Sequence, residues 1–157
     1  MVSFTKDERE RMDKVFAALE DICDHVTHDL GKSNLVELQG YELPCGWSPR
    51  RTTIAYLLPK TYPQQPPAAV FVPANLQYHN GYPELIIKLR SRDRKRLPRI
   101  LRTRYDHTWN RVCLHTKKIA NDWQPHTDTL VTITRMIHQA AKHPEQTYPW
   151  EHRHEYR

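Results

Sequence analysis

The sequence predicts an α+β domain, because a helical pattern opens the chain, strand patterns follow it, and a second helical pattern closes it. The chain has 157 residues. That length suits one hydrophobic core, since single domains commonly run to roughly 100–200 residues. No stretch approaches the roughly 20 apolar residues that cross a bilayer, and the N-terminus has no apolar signal segment. We therefore expect a cytoplasmic protein, with residues 1–144 as its domain and residues 145–157 as a short polar tail.

The first element is an amphipathic helix by its pattern. Thr5 followed by Glu8 is typical of a capping box, in which each side chain binds the other residue's backbone N–H. Apolar residues then recur at steps of three and four, as Met12, Phe16, Leu19, Ile22, Val26 and Leu30. Gly31 is a natural end for a helix. The spacing predicts a helix of about seven turns that packs on an apolar surface.

Strand patterns follow this helix. Residues 35–41 and 52–58 are rich in β-branched and aromatic residues, and the turn-forming stretch 44–49 separates them. A third strand is predicted at 68–72, and residues 85–89 are compatible with a further one. The closing helix is predicted to begin near Thr127, with Leu130, Ile133 and Ile137 on one face, and to end before Pro144.

A basic run lies at residues 90–104 in a chain whose formal net charge is +6. Such runs are usually solvated loops or helix faces, and otherwise form a charged surface for an acidic protein or a nucleic acid. Tyr105 is the aromatic residue close to the run, which gives a base-stacking platform poor support. We therefore favour a protein-docking surface over a nucleic-acid-binding one.

Cys113 is the best candidate nucleophile. Three cysteines without a CxxC pair indicate free thiols rather than a disulfide framework. Cys113 lies among cations and histidines, which favour the reactive thiolate, whereas Cys23 falls in the apolar register of the first helix and Cys45 in a proline-bounded turn. No papain-like or caspase-like signature surrounds Cys113, and the spacing of His107, Cys113 and His115 matches no standard zinc pattern. Protease and metal sites are therefore disfavoured.

The order of these elements resembles the ubiquitin-conjugating enzyme (UBC) family over roughly residues 5–142. The resemblance is carried by Tyr62-Pro63-x-x-Pro66-Pro67, Val112-Cys113-Leu114 and Trp123-x-Pro125. It implies a UBC-like fold with an N-terminal helix, an antiparallel β-meander, an active-site loop and a C-terminal helix. It also implies that Cys113 accepts a ubiquitin-like C-terminus as a thioester and passes it to an amine of a target protein. No cofactor is expected, because the chain has no Gly-rich phosphate loop and the activating enzyme consumes the ATP.

The chain departs from the family pattern around the cysteine. The usual His-Pro-Asn is absent, which leaves His107 and Asn110 as candidate donors to the oxyanion, with His107 favoured. Asp122 or Asp128 could lower the pKa of the incoming lysine, and their spacing does not choose between them. Position 115 is His where many eukaryotic members carry Asp.

These departures resemble the prokaryotic branch of the family. There, a conjugating enzyme is encoded beside a ubiquitin-like protein, an activating enzyme and a JAB-type deconjugating protease, often in antiphage operons. Candidate partner-binding residues are Arg9, Arg11 and Lys14 on the first helix together with Tyr62 and Pro63; ordinary helix solvation explains the three cations equally well. The alternatives are a non-catalytic UBC-like adaptor and a conjugating enzyme of a cyclic-nucleotide, cyclase-modifying defence system.

Overall fold

The computed structural model describes residues 3–103 and 108–157. In chain order the elements are α1 (Lys6–Glu20), β1 (His25–His28), β2 (Leu35–Glu42), β3 (Trp47–Ser48), β4 (Arg51–Leu57), β5 (Ala69–Pro73), β6 (Gln77–Tyr78), β7 (Ile86–Ile87), α2 (Ser91–Arg94), α3 (Arg99–Thr103), β8 (Trp109–Val112), α4 (Thr116–Asp122), α5 (Leu130–Lys142) and a 3-10 helix (Pro149–Glu155). Within these ranges no helix has the length and apolar character to cross a bilayer. The predicted α+β class, with its UBC-like order of elements, is confirmed.

α1 begins as predicted but ends early. The capping box between Thr5 and Glu8 is present. The helix stops at Glu20, so the prediction that it continues to Gly31 is wrong. Residues 25–28 instead form β1, which pairs with β2 and turns Val26 into the core. The period of four between Ile22 and Val26 was misleading because Ile22 is 39% exposed, and strand pairing with β2 decides the conformation of this segment.

The main sheet has six antiparallel strands in the order β1-β2-β4-β5-β8-β7. The strands predicted at 35–41, 52–58 and 68–72 are confirmed to within a residue at each end. In the segment 85–89 only β7 pairs with a neighbour, and its partner is β8. Alternation along each strand separates an inner face, which α1 and α5 cover, from an outer face.

The inner face holds the larger core. The predicted α5 residues are buried there and meet apolar residues of α1 and the sheet; the cluster includes Leu19, Leu38, Ile54, Leu130, Ile133 and Ile137. The Tyr56 and Thr134 hydroxyls form a hydrogen bond of 2.6 Å inside this cluster, which ties β4 to α5. The helix packs as its periodicity predicts, because its apolar stripe has one extended surface on which to lie.

The basic run covers the outer face. α2 and α3 lie there, and the leucines of this segment join a second apolar cluster formed by Leu35, Ala55, Phe71, Leu89, Leu97, Leu101 and Trp109. The Trp109 Nε1–H donates to the Leu101 carbonyl oxygen at 3.0 Å. Residues 91–103 therefore cover the sheet with two short helices rather than a free loop, and most of the cations in this range are exposed.

Candidate active site

Cys113 lies directly after β8, between the sheet and α4. Its backbone N–H donates to the Leu85 carbonyl oxygen at 2.7 Å, so the residue stays in line with the strand edge. The thiol is free and only partly buried. A cysteine held at its backbone with its side chain reachable from solvent has the placement that a nucleophile needs.

The chain on either side of the cysteine is also constrained. Leu85, which accepts from Cys113, donates its own N–H to the Pro144 carbonyl oxygen at 3.3 Å. His115 adopts a left-handed conformation with φ of 48° and turns the chain from the strand into α4. Such a conformation costs a non-glycine residue roughly 1–2 kcal/mol, so the packing around His115 must hold it in place.

The residues that pack on His115 come from the C-terminal segment, residues 145–157. The His115 ring meets the Tyr148 ring edge-on at a centroid distance of 4.3 Å, and Trp150 follows at 5.9 Å. Lys118 Nζ lies 4.1 Å from the centre of the Trp150 ring. The C-terminal segment therefore forms one wall of the cysteine site. The only signal for it in the sequence was the presence of three aromatic residues in an otherwise polar stretch.

Tyr148 of this wall contacts both His115 and Glu84. Its hydroxyl donates to Glu84 Oε2 at 2.8 Å. This hydrogen bond, together with desolvation and the negative charge of Glu84, raises the pKa of Tyr148. Neither Tyr148 nor Glu84 was a candidate from the sequence, because 64 positions separate them.

Arginines fasten the end of the C-terminal segment. Arg157 binds the Asp128 carboxylate through Nε at 3.2 Å and Nη2 at 3.1 Å, and it also contacts Asp122. Arg153 forms an ion pair with Asp122. Desolvation by itself would raise the pKa of Asp122, but Arg157 and Arg153 outweigh it and lower this pKa. Both carboxylates proposed to act on the incoming lysine are thus paired with arginine.

The two candidate oxyanion donors are His107 and Asn110. His107 lies outside the described residues. Asn110 is 1% exposed in β8, and its Oδ1 accepts from the Leu89 N–H at 3.3 Å, just beyond the end of β7. Asn110 thereby satisfies a backbone donor that strand pairing leaves free. Its role as an oxyanion donor stays a prediction.

The predicted partner-binding residues fall into two groups. Arg9 and Lys14 are exposed on α1. Arg11 instead turns inward, where it donates to the Pro125 carbonyl oxygen and, at 3.2 Å, to that of Asp128. Arg11 therefore joins α1 to the loop before α5 rather than presenting its charge to solvent.

Tyr62 and Pro63 lie in this same corner of the fold. Tyr62 is 3% exposed, and its burial raises the pKa of its hydroxyl. Trp123 Nε1–H donates to the Pro63 carbonyl oxygen at 2.8 Å. These contacts explain the Tyr-Pro and Trp-x-Pro motifs as a brace between two loops, with Pro63 only partly covered.

The other two cysteines are placed differently from Cys113. Cys23 is partly buried, its Sγ–H donates to the Leu19 carbonyl oxygen at 3.2 Å, and burial raises its pKa. Cys45 is exposed in its turn. Across 3–103 and 108–157, no group of three or more His, Cys, Asp or Glu residues is placed to hold a metal ion.

Comparison with known proteins identifies the family. A model described as prokaryotic E2 family E matches residues 10–143. No curated protein and no solved structure matches the chain. Proteins of the E2 type are conjugating transferases, which implies a ubiquitin-like protein and an activating enzyme as the kinds of partner. The matched region covers most of the sequence, and the chain therefore belongs to prokaryotic E2 family E.

Proposed function

We propose that this chain is a ubiquitin-like-protein conjugating enzyme with Cys113 as its nucleophile. The Cys113 thiolate attacks the thioester carbonyl carbon that joins the ubiquitin-like C-terminus to the activating enzyme. That enzyme's thiolate leaves, and a new thioester remains on Cys113. A target amine then attacks this carbonyl, an amide forms, the amine loses a proton, and the Cys113 thiolate is released.

The observation that carries this proposal is the placement of Cys113 within the family-matched region. Its thiol is free and partly exposed at the end of β8, and its backbone is fixed to Leu85. A held nucleophile loses little conformational freedom when the acyl group arrives. Cys23 and Cys45 lack this combination, since one is directed into the core side of α1 and the other lies in an exposed turn.

His107 is our proposed oxyanion donor. Asn110 is 1% exposed and its Oδ1 accepts from the Leu89 N–H, so a rotation that turned its Nδ2–H toward an oxyanion would leave that backbone N–H without its partner. Replacing His107 by Ala should slow thioester formation and discharge. Replacing Asn110 by Ala should lower stability first.

We also propose that the enzyme acts in bacterial antiphage defence. The sequences of residues 57–63 and 113–116 resemble those of conjugating enzymes from bacterial antiphage operons, and we place this activity in such a defence system. A JAB-type protease would then remove the modifier. The reducing cytoplasm suits an enzyme that works through a free thiol.

The test mixes the purified chain with the ubiquitin-like and activating proteins encoded beside its gene, together with ATP, and resolves the products on non-reducing gels. We expect an adduct that a thiol reductant removes. Cys113→Ala should form none, and Cys113→Ser should form a longer-lived ester that resists the reductant. Cys45→Ala is the matched control, because it removes an exposed thiol and should leave the adduct unchanged.

Two outcomes would overturn the proposal. Failure to form an adduct while the ubiquitin-like protein still binds would favour an adaptor. An adduct that persists in Cys113→Ala would assign the nucleophile to another residue. A parallel reaction with a cyclase encoded nearby in place of the ubiquitin-like protein distinguishes the cyclase-modifying system.

A further inference from the structure

A groove of about 620 Å³ opens on the outer face of the sheet, between the strands and α2. We call it the basic groove. Residues of β4, β5, β7 and β8 form its floor, and residues 88–98 form its wall; the floor includes Leu57, Ala69, Phe71, Ile87 and Arg111. Ligand-binding clefts commonly enclose roughly 300–1,000 Å³, so the basic groove is large enough for several side chains of a partner.

Positive charge dominates the lining. One carboxylate, Asp93, lies among five cations: Lys88, Arg90, Arg92, Arg96 and Arg111. None of the five forms an ion pair with a carboxylate within residues 3–103 or 108–157. Lys88 Nζ lies 4.7 Å from the centre of the Tyr82 ring, an interaction that leaves its charge uncompensated. Like charges gathered around one concave surface repel one another and raise the local concentration of anions.

The floor between these charges is apolar. Strand pairing places Arg111 opposite Phe71 on one side and opposite Ile87 on the other, so the arginine lies between two apolar side chains. Ile87 is 37% exposed, which is high for an isoleucine in a sheet. A cluster of cations that interacts only with water does not require exposed apolar side chains between the charges. A ligand that carries both carboxylates and an aliphatic side chain would satisfy both parts of the lining.

We propose that the basic groove binds an acidic segment of a partner protein, with carboxylates on its arginines and an aliphatic side chain on Ile87. Nucleic acid fits the charge but not the floor, because Phe71 is the aromatic residue in the lining and is only 4% exposed, too little for a base to stack on. Arg111 lies two positions before Cys113, so the bound segment would lie beside the strand that carries the cysteine.

The probe is a fluorescein-labelled synthetic peptide in which leucines are spaced among glutamates, titrated with the full chain and followed by fluorescence anisotropy. We expect binding that weakens as salt rises. Arg92→Glu combined with Arg96→Glu should weaken it by about tenfold or more, because both side chains are exposed on the wall and reverse their charge toward the ligand. Lys6→Glu with Lys142→Glu is the matched control, since it makes the same change of charge on the helices of the inner face and should alter binding by less than about twofold.

The apolar part of the groove has its own test. Ile87→Ser should weaken peptide binding with little change in its salt dependence, and a probe with serines in place of the leucines should bind the unaltered chain weakly. Thermal unfolding followed by circular dichroism checks that every variant is folded.

Three outcomes would overturn the proposal: no binding at low salt, an equal loss in the inner-face control, or tighter binding of single-stranded DNA of equal charge with the same response to the variants. Cys113→Ala should bind the peptide as the unaltered chain does. Peptide binding to the basic groove can therefore be confirmed or contradicted independently of thioester formation on Cys113.

Discussion

The two faces of the sheet are covered by the same chain in different ways. On the inner face, two helices of 15 and 13 residues lie on a continuous apolar core. On the outer face, helices of four and five residues bring a few leucines onto a smaller cluster and leave the basic groove beside them. Short helices bury little apolar area, so the outer cover contributes less to stability. The difference indicates that the inner face maintains the fold, while the outer face presents charge.

The largest effect should come from the inner face. Ile133→Ala removes a fully buried side chain of α5 and should lower the free energy of unfolding by about 2–5 kcal/mol, through lost burial and a cavity that cannot close. Urea denaturation followed by circular dichroism measures it. Leu101→Ala is the outer-face counterpart, because Leu101 is as buried but belongs to a five-residue helix. Its cost should lie near 2 kcal/mol, since α3 can separate without unfolding the sheet. Equal costs for the two substitutions would contradict the contrast between the faces.

A smaller effect is expected at the C-terminal segment, which covers neither face but closes the end of the sheet at Cys113. Arg157→Ala leaves the Asp128 carboxylate, 3% exposed, without its cation, and should cost about 1–3 kcal/mol after allowance for partial solvent screening. Release of the segment should also raise the rate at which iodoacetamide alkylates Cys113, measured by peptide mass spectrometry with Cys45 as the exposed reference. His154→Ala, at an exposed position of the same 3-10 helix, is the control. An unchanged alkylation rate in Arg157→Ala would show that the segment does not restrict access to the thiol.

The smallest effect is a pH dependence on the inner face. The Tyr41 hydroxyl and His138 Nδ1 lie 2.9 Å apart and connect β2 to α5. Desolvation, and secondarily Lys142, lowers the pKa of His138, so the folded chain favours the neutral imidazole. The unfolded chain therefore binds more protons than the folded chain. The stabilisation from neutral His138 is complete above the unfolded pKa of about 6.5, and it is lost as the pH falls through the lower pKa of His138 in the folded chain. Urea midpoints from pH 8 down to pH 5 should decline, and His138→Gln should flatten the decline. A midpoint that rises on acidification would contradict this assignment.

Local patterns predicted the elements that a single surface stabilises. The step of three and four residues in α5 identified its buried face, and the β-branched segments identified β2, β4 and β5. α1 was predicted too long because Val26 fits both a helical step and a strand alternation. Only pairing of β1 with β2 distinguishes the two, and that pairing joins Val26 to Leu38 across an intervening turn.

The candidate active site likewise contains residues that are close in sequence and residues that only the fold brings together. Cys113 and its neighbours are contiguous, so the sequence could single out the nucleophile. Tyr148 and Glu84 meet beside His115 only through the fold, and Arg11 was a candidate for partner binding although it is bound to a loop more than a hundred positions away. The sequence identifies the charged residues, but only the packing shows which of them already bind another group of the chain.

By itself, therefore, the sequence determined the order of elements, the candidate cysteine and the family resemblance, because each depends on residues close together in the chain or on their order along it. The tertiary structure decided where α1 ends, which cations of the groove form no ion pair within residues 3–103 and 108–157, and that residues 145–157 form a wall of the cysteine site. Those features depend on contacts between distant segments. Their free energies come from burial and pairing, and both exist only once the sheet has brought the partners together.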